Sequence, residues 1–139
     1  MGFFSSLLGF DESKKTNIND EINIMEAINA HVYWKMRLEK YVDGTSEEKL
    51  DPKLICRDDQ CVLGKWIHGP ALKHFHDDDG FITLRDDHAQ FHLVASNVVT
   101  KVQANDTAAA RDLLEGEYLK ISHKVVHDLT ELNKQLLSR

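Results

Sequence analysis

Apolar residues recur every three or four positions through three long stretches of this chain, which is the spacing of one face of an α-helix. The first stretch covers residues 18–42 and stops at Asp43-Gly44-Thr45, because glycine adopts the left-handed conformation at little cost. The second covers residues 81–104 and the third covers residues 108–137. The pattern therefore predicts three long helices, each with one face turned toward a shared core.

The residues predicted to face the core form one stripe on each long helix. On the first helix they are Ile18, Ile22, Met25, Ile28, Val32, Met36 and Leu38. On the second they are Leu84, His88, Phe91, His92, Ala95, Val98, Val99 and Val102. On the third they are Leu114, Tyr118, Ile121, Val125, Leu129, Leu132 and Leu136.

The other stretches carry weaker helical patterns and several breaks. Residues 47–56, interrupted by Asp51-Pro52, and residues 61–67, ended by Gly69-Pro70, predict two short helices. Residues 76–80 predict a solvated turn with a helix cap, and no stretch alternates as a strand would. We expect an all-α fold, an antiparallel four-helix bundle with additional short helices between the first and second long helices. Such bundles place metal sites between facing helices.

Length and charge narrow the classes of function. The 139 residues predict one domain over residues 17–139, behind a tail formed by residues 1–16. A net charge of -6 without a basic stripe argues against nucleic acid as a partner. Two cysteines without a secretory signal, and no apolar run of about twenty residues, indicate a cytoplasmic protein with reduced thiols. We interpret the apolar residues 1–10 as a docking tail for a partner or a membrane surface; the alternative is a terminus without function.

Four side chains that can donate to a metal lie in three of the predicted helical stretches. His88 and His92 are four residues apart in a helical pattern, so their imidazoles project from the same face. His31 lies in the first long helix, and Cys61 opens a short one. Three imidazoles and one thiolate make a complete tetrahedral set for zinc.

Each of these residues also has a plainer interpretation. The histidines could be ordinary helix-face or core residues, and Cys61, like Cys56, could be a small buried hydrophobe. A buried imidazole, however, needs a partner for both ring nitrogens, and a metal ion supplies one. Two neighbours of Cys61 favour a site, since Gly64 permits close approach of another element and Trp66 would shield the metal from bulk water.

The segments around these donors resemble the motifs of the chemoreceptor zinc-binding (CZB) domain family. They are Ala30-His31-Val32-Tyr33-Trp34, Cys61-Val62-Leu63-Gly64-Lys65-Trp66 and His88-Ala89-Gln90-Phe91-His92. The resemblance covers about residues 20–130, and its most specific part is the segment that begins with Cys61. It implies a four-helix bundle, often a homodimer, with one zinc per chain. The implied metal ligands are His31, Cys61, His88 and His92.

The resemblance also implies a sensory role. In the family this module is commonly fused to cytosolic chemoreceptors or diguanylate cyclases, as a regulatory input. This sequence contains neither a receptor signalling hairpin nor a cyclase domain, so we expect a stand-alone sensor of zinc or of an oxidant. Its output, to chemotaxis or to cyclic-di-GMP signalling, would pass through a partner protein. Four donors fill the zinc shell, which favours a non-catalytic protein without a small-molecule substrate.

The alternative is a hemerythrin-like di-iron protein that binds oxygen. That family also places histidines in a four-helix bundle, and this chain offers His31, His88-x3-His92 and His123-x4-Asp128. The chain lacks the histidine and glutamate expected on the second helix, for which the nearest substitute is His74-x3-Asp78 at a turn. The alternative also leaves the segment around Cys61 unexplained. The zinc interpretation is therefore preferred.

Overall fold

The computed structural model describes residues 23–137 and is built from helices. The elements are α1 (Ile24–Asp43), α2 (Pro52–Ile55), α3 (Val62–Ile67), α4 (Pro70–Phe75), α5 (Asp79–Gln103), α6 (Thr107–Glu115) and α7 (Glu117–Leu137). Residues 23–137 contain no strand, so the predicted all-α class is confirmed. The expectations for the tail of residues 1–16 and for Ile18 and Ile22 fall outside the described residues.

Helix α1 begins and ends on capping residues. The side-chain oxygen of Asn23 accepts a hydrogen bond from the Glu26 backbone N–H at 3.0 Å, which satisfies one free donor of the first turn. At the other end, Gly44 adopts a φ of 80°, and its N–H donates to the Tyr41 carbonyl at 3.2 Å. The stop predicted at Gly44 is confirmed.

The predicted core face of α1 is partly wrong. Met25, Val32 and Met36 are 54%, 52% and 46% exposed. The face that is buried instead contains Ile24, Ala27, Ile28, His31, Leu38 and Val42. The apolar residues of α1 spread over two adjacent faces, and polar His31 lies at the centre of the buried one. A prediction from the apolar residues alone therefore assigned these three positions to the buried face, although they are exposed.

Helix α5 follows the prediction closely. Asp78 caps its first turn, accepting from the Phe81 N–H at 2.9 Å. All of the residues predicted to face inward from this helix are buried except Val102, which is half-buried. Helix α5 packs against α1, α2, α6 and α7, so it lies at the centre of the fold.

The last long helix is interrupted, contrary to the prediction of one helix over residues 108–137. Helix α6 ends at Glu115 and α7 begins at Glu117, because Gly116 leaves the helical conformation with φ -113° and ψ -95°. A Cβ at this position would lie 3.1 Å from the Asp112 carbonyl oxygen, so glycine suits the tight bend. Both pieces pack on α5, and the predicted inward residues of α6 and α7 are all buried.

Three short helices connect α1 to α5. Two were predicted, and they are α2 and α3. Helix α4 was missed, because Gly69-Pro70 was interpreted only as a stop. Pro70 instead occupies the start of α4, where its missing N–H costs no hydrogen bond.

The short helices carry the chain back, so that α1 and α5 run in the same direction. His31 contacts His88, and ten residues further along α1 the Tyr41 hydroxyl accepts from Gln103 at 3.0 Å. The tight turn at residues 104–106 then reverses the chain into α6 and α7. The described residues thus show α1, α5 and the interrupted α6–α7 as their long elements, and the four-helix arrangement remains a prediction. No helix among residues 23–137 has the length and hydropathy needed to cross a bilayer.

Candidate metal centre

The fold brings all four predicted donors to one point between α1, α3 and α5. Their donor atoms all lie within 4.8 Å of one another. His88 Nε2 is 3.2 Å from His31 Nε2 and 3.1 Å from His92 Nε2. Cys61 Sγ is 3.4 Å from His88 Nε2 and 3.6 Å from His92 Nε2. His31, His88 and His92 are buried, and Cys61 is half-buried.

These distances have the dimensions of a zinc coordination sphere. Zinc lies about 2.0–2.1 Å from imidazole nitrogen and about 2.3 Å from sulfur, in a tetrahedron. The edges of such a tetrahedron are roughly 3.3 Å between two nitrogens and roughly 3.6 Å between nitrogen and sulfur. The four measured distances, from 3.1 to 3.6 Å, lie close to those edges. The cluster therefore fits a site of three histidines and one cysteine.

Backbone carbonyls fix the tautomers of two of the histidines. His31 Nδ1 donates to the Ala27 carbonyl at 2.7 Å, and His92 Nδ1 donates to the Ile55 carbonyl at 2.9 Å. A carbonyl oxygen only accepts, so both rings are protonated at Nδ1 and present a lone pair at Nε2. Metal-bound histidines are oriented in the same way.

The two lone pairs face a single nitrogen. Nε2 of His31 and Nε2 of His92 both point at His88 Nε2, and the Cys61 sulfur adds a third contact there. One N–H at His88 Nε2 could satisfy only one of these neighbours, and the other polar atoms would face each other in a buried space. A cation among them satisfies all four, so the residues present fit a metal ion.

Burial sets the protonation of the ligands. It lowers the pKa of His31 to about 4 and is also the largest cause of the lowered pKa values of His88 and His92. The three imidazoles are therefore neutral at neutral pH, as metal binding requires. Burial raises the pKa of the Cys61 thiol, against the weaker opposing effect of the Gly64 N–H. A cation is thus needed to hold this sulfur as a thiolate.

Cys61 occupies the N-cap of α3. Its backbone is extended, and its sulfur accepts from the Gly64 N–H at 3.3 Å, as a serine cap would. Gly64 permits close approach, as expected, but its neighbour is the Asp58 backbone rather than another helix. A Cβ on Gly64 would overlap the Asp58 carbonyl. This contact joins the loop before Cys61 to the helix that follows it.

Two aromatic residues of the motifs, Trp66 and Phe91, lie in the core. Trp66 packs on Phe75, with ring centroids 6.4 Å apart. Trp34 is half-buried, with the Arg37 guanidinium 3.9 Å from its ring centroid. Phe91 contacts the His31 ring at 5.1 Å. Phe91 therefore helps to enclose the cluster, while the shielding by Trp66 stays a prediction.

A cavity of about 400 Å³ adjoins the cluster on the side of α1 and α3. Cys61 and His31 lie on its wall, together with Ala27, Val62 and Leu63. This cavity therefore provides space next to the sulfur for a small molecule.

The other histidines and the second cysteine lie outside the cluster. All of these side chains are exposed, namely Cys56, His68, His74, His76, His123 and His127. Among residues 23–137, three or more metal-binding side chains come close together at the four-donor cluster alone. This cluster does not contain His123 or Asp128. The ligand set of the di-iron alternative is therefore not assembled.

Sequence reasoning missed the groups that surround the ligands. Ala27 could have been found, because it lies one helical turn before His31. The Ile55 carbonyl is brought to His92 by the packing of α2 on α5 and could not be found from spacing. The same holds for Asp58, whose Oδ2 lies 2.9 Å from His68 Nε2 and 4.0 Å from His88 Nδ1.

These features define a helical domain with a buried cluster of three histidines and one cysteine. The family model of the chemoreceptor zinc-binding domain matches residues 31–99, a segment that includes all four donors. The chain therefore belongs to the chemoreceptor zinc-binding family through this segment, as the three motifs predicted. The match is shorter than the predicted extent of residues 20–130. No curated protein and no solved structure matches the chain.

Proposed function

We propose that this protein is a non-catalytic, zinc-binding sensor or regulatory domain. One zinc ion per chain is held by His31, Cys61, His88 and His92. The observation that supports the proposal most directly is the convergence of three Nε2 atoms and one sulfur, with two tautomers fixed so that lone pairs point at the centre. A closed shell of four protein ligands leaves no open position for a water or a substrate.

The signal is oxidation of the zinc-bound sulfur. Zinc keeps Cys61 as a thiolate, which is the form that oxidants attack. A peroxide transfers one oxygen atom to the thiolate, giving a sulfenate while its second oxygen leaves as water. The sulfenate binds zinc poorly, so the remaining three imidazoles hold the ion less tightly. The cavity beside Cys61 admits such a small oxidant.

Loss of the sulfur ligand would release helix α3 from the metal. Helix α3 has 6 residues and is separated from Gly69-Pro70 by His68 alone, so it is freer to shift than the long helices. Its movement would change the surface shown to a separate signalling protein, in chemotaxis or in cyclic-di-GMP signalling. A reduced thiol suits a cytoplasmic location, which is part of the same proposal.

The proposal includes a homodimer. Met25, Val32 and Met36 form an exposed apolar stripe along α1, with a spacing that keeps them on one side of the helix. A second copy that covers this stripe would place its own α1 alongside and would complete a larger helical bundle. Within each protomer, α1, α5 and α6–α7 would form three helices of the predicted four-helix bundle, and the short helices α2–α4 together would take the place of the fourth. Replacing Val32→Lys should shift the protein from dimer to monomer in sedimentation, whereas Lys35→Ala should not.

Elemental analysis of the purified protein tests the zinc site. Wild type should carry one zinc per chain, and Cys61→Ser and His92→Ala should carry much less. His123→Ala is the matched control, since His123 is an exposed histidine in a helix, and it should retain the wild-type content. A loss in His123→Ala equal to that in His92→Ala would overturn the ligand set. Iron in place of zinc would restore the di-iron alternative.

A further inference from the structure

His88 differs from the other two histidines in what surrounds its second nitrogen. His31 Nδ1 and His92 Nδ1 each donate to a backbone carbonyl. His88 is fully buried, yet its Nδ1 has no hydrogen-bond partner among residues 23–137. A buried N–H without a partner costs about 1–3 kcal/mol, so one is expected nearby. Within the same residues, the carboxylate of Asp58 lies within ion-pair distance of this nitrogen, with Oδ2 at 4.0 Å.

Two contacts hold Asp58 in its place. Its backbone carbonyl packs against Gly64, whose missing side chain makes room for it. On the solvent side, His68 Nε2 lies 2.9 Å from the same Oδ2 atom that faces His88. The carboxylate is 24% exposed, so it lies between the buried cluster and the surface. A shift of about 1 Å would bring it to hydrogen-bond distance from His88 Nδ1.

The charge of the zinc site also requires a nearby anion. A zinc ion with one thiolate and three neutral imidazoles carries one net positive charge in a buried space. An unpaired buried charge is costly, and one carboxylate at this distance offsets it. Burial lowers the pKa of His92 and raises that of Cys61; the negative charge of Asp58 partly opposes the first effect and adds to the second, so its field reaches both residues.

We propose that Asp58 is a positioning residue of the zinc site: its carboxylate accepts the Nδ1–H of His88 when zinc is bound, and links that ligand to His68 at the surface. This inference rests on the proposed zinc site. Asp58 does not touch the metal. It orients His88 so that Nε2 presents its lone pair, and it neutralises the charge of the loaded centre. Mutation of a residue that hydrogen-bonds to a metal ligand typically weakens metal affinity by about 10–100-fold.

Zinc affinity, measured by competition with a chelator, tests the role of Asp58. Asp58→Asn keeps the shape and removes the charge, and it should weaken zinc binding by about 10–100-fold. Asp59→Asn is the matched control: the neighbouring aspartate is exposed, and its ion pair at 3.5 Å is with Arg57. Its affinity should stay within about twofold of wild type, since surface pairs contribute little. Equal affinities in the two variants would overturn the inference.

A second measurement separates positioning from a purely structural effect. In zinc-loaded wild type, nitrogen-15 NMR should show a His88 Nδ1 proton that exchanges slowly with water and has a strongly downfield shift, as expected for donation to a carboxylate. In Asp58→Asn this signal should move, while those of His31 and His92 stay. The wild-type spectrum alone tests the idea if the variant does not fold, because absence of the His88 signal would disprove it. If wild type binds no zinc, the proposed function fails instead.

Discussion

His88 Nε2 lies 3.2 Å from His31 Nε2, although 57 residues separate the two histidines in the chain. The contact joins two parallel long helices at the same height, and α2–α4 make this possible by returning the chain between them. Because Nε2 of His31 and Nε2 of His92 both present lone pairs to His88 Nε2, one proton there can satisfy only one of them, whereas a cation among the three nitrogens would satisfy all of them.

Removal of zinc should lower the melting temperature without loss of helical structure. The helices are held by an extensive apolar core along α5, α6 and α7, which does not depend on the metal. At free zinc about 100-fold above its Kd, the ion adds roughly 2.7 kcal/mol of stability. Chelation should therefore lower the melting temperature by roughly 10 °C in a protein of this size. Circular dichroism with and without chelator checks both quantities; collapse of the helical signal at 25 °C would contradict the prediction.

Zinc affinity should depend on pH mainly through Cys61. Free imidazole would bring proton competition near pH 6.5, but burial lowers the pKa of His31 to about 4 and lowers those of His88 and His92. His31 and His88 are therefore neutral at pH 6, and all three rings are neutral at pH 7 to 8 and release no proton there. The Cys61 pKa is raised, so the thiol must lose its proton when zinc binds.

The expected result is a zinc affinity that rises about tenfold per pH unit between pH 7 and 8, with one proton released per ion bound. Calorimetry in buffers of different ionisation enthalpy counts the released protons. Cys61→Ser should bind zinc more weakly and release close to none. A wild-type release of two or more protons at pH 7 would show that the histidines are protonated in the zinc-free protein.

Oxidation should release zinc through Cys61 rather than through Cys56. Cys56 is exposed but lies outside the donor cluster, whereas Cys61 is half-buried and adjoins the cavity. Under a mild excess of peroxide, Cys56→Ser should release zinc at the wild-type rate, followed with a chromogenic chelator. Protection by Cys56→Ser would transfer the redox role to that cysteine.

Helical periodicity predicted α1, α5 and most of α7, because these helices bury one continuous apolar face. It failed at Val32, since α1 has apolar residues on two faces and only packing decides between them. The donors His88 and His92 could be paired from their spacing in one helix. The Ile55 carbonyl and Asp58 could not, because only the packing of α2 and the path of the loop after it bring them to α5.

Asp128 is a half-buried carboxyl on α7 that faces Asp87 on α5. Burial and a hydrogen bond with Asp87 raise the pKa of Asp128 to about 7, and its Oδ2 is buried without a partner in the part of the chain that the structure describes. The folded state therefore keeps a proton that the unfolded chain loses at about pH 4. This contribution to stability is fully present below pH 4 and is lost as the pH rises toward 7. Asparagine at position 128 cannot ionise, so the Asp128→Asn variant should not lose this stability as the pH rises.

Asp128→Asn should accordingly raise the melting temperature at pH 8 and have little effect near pH 4. The group is partly exposed, so solvent screening reduces the gain to roughly 1 kcal/mol, or about 3–5 °C. The comparison uses zinc-free protein, in which the buried histidines contribute equally to both variants and cancel from the difference. Asp112→Asn, at an exposed aspartate on α6, is the control and should change the melting temperature little at either pH. A gain for Asp128→Asn that is the same at pH 5 and pH 8 would contradict the raised pKa, because the advantage must grow across this interval if the folded protein holds the proton.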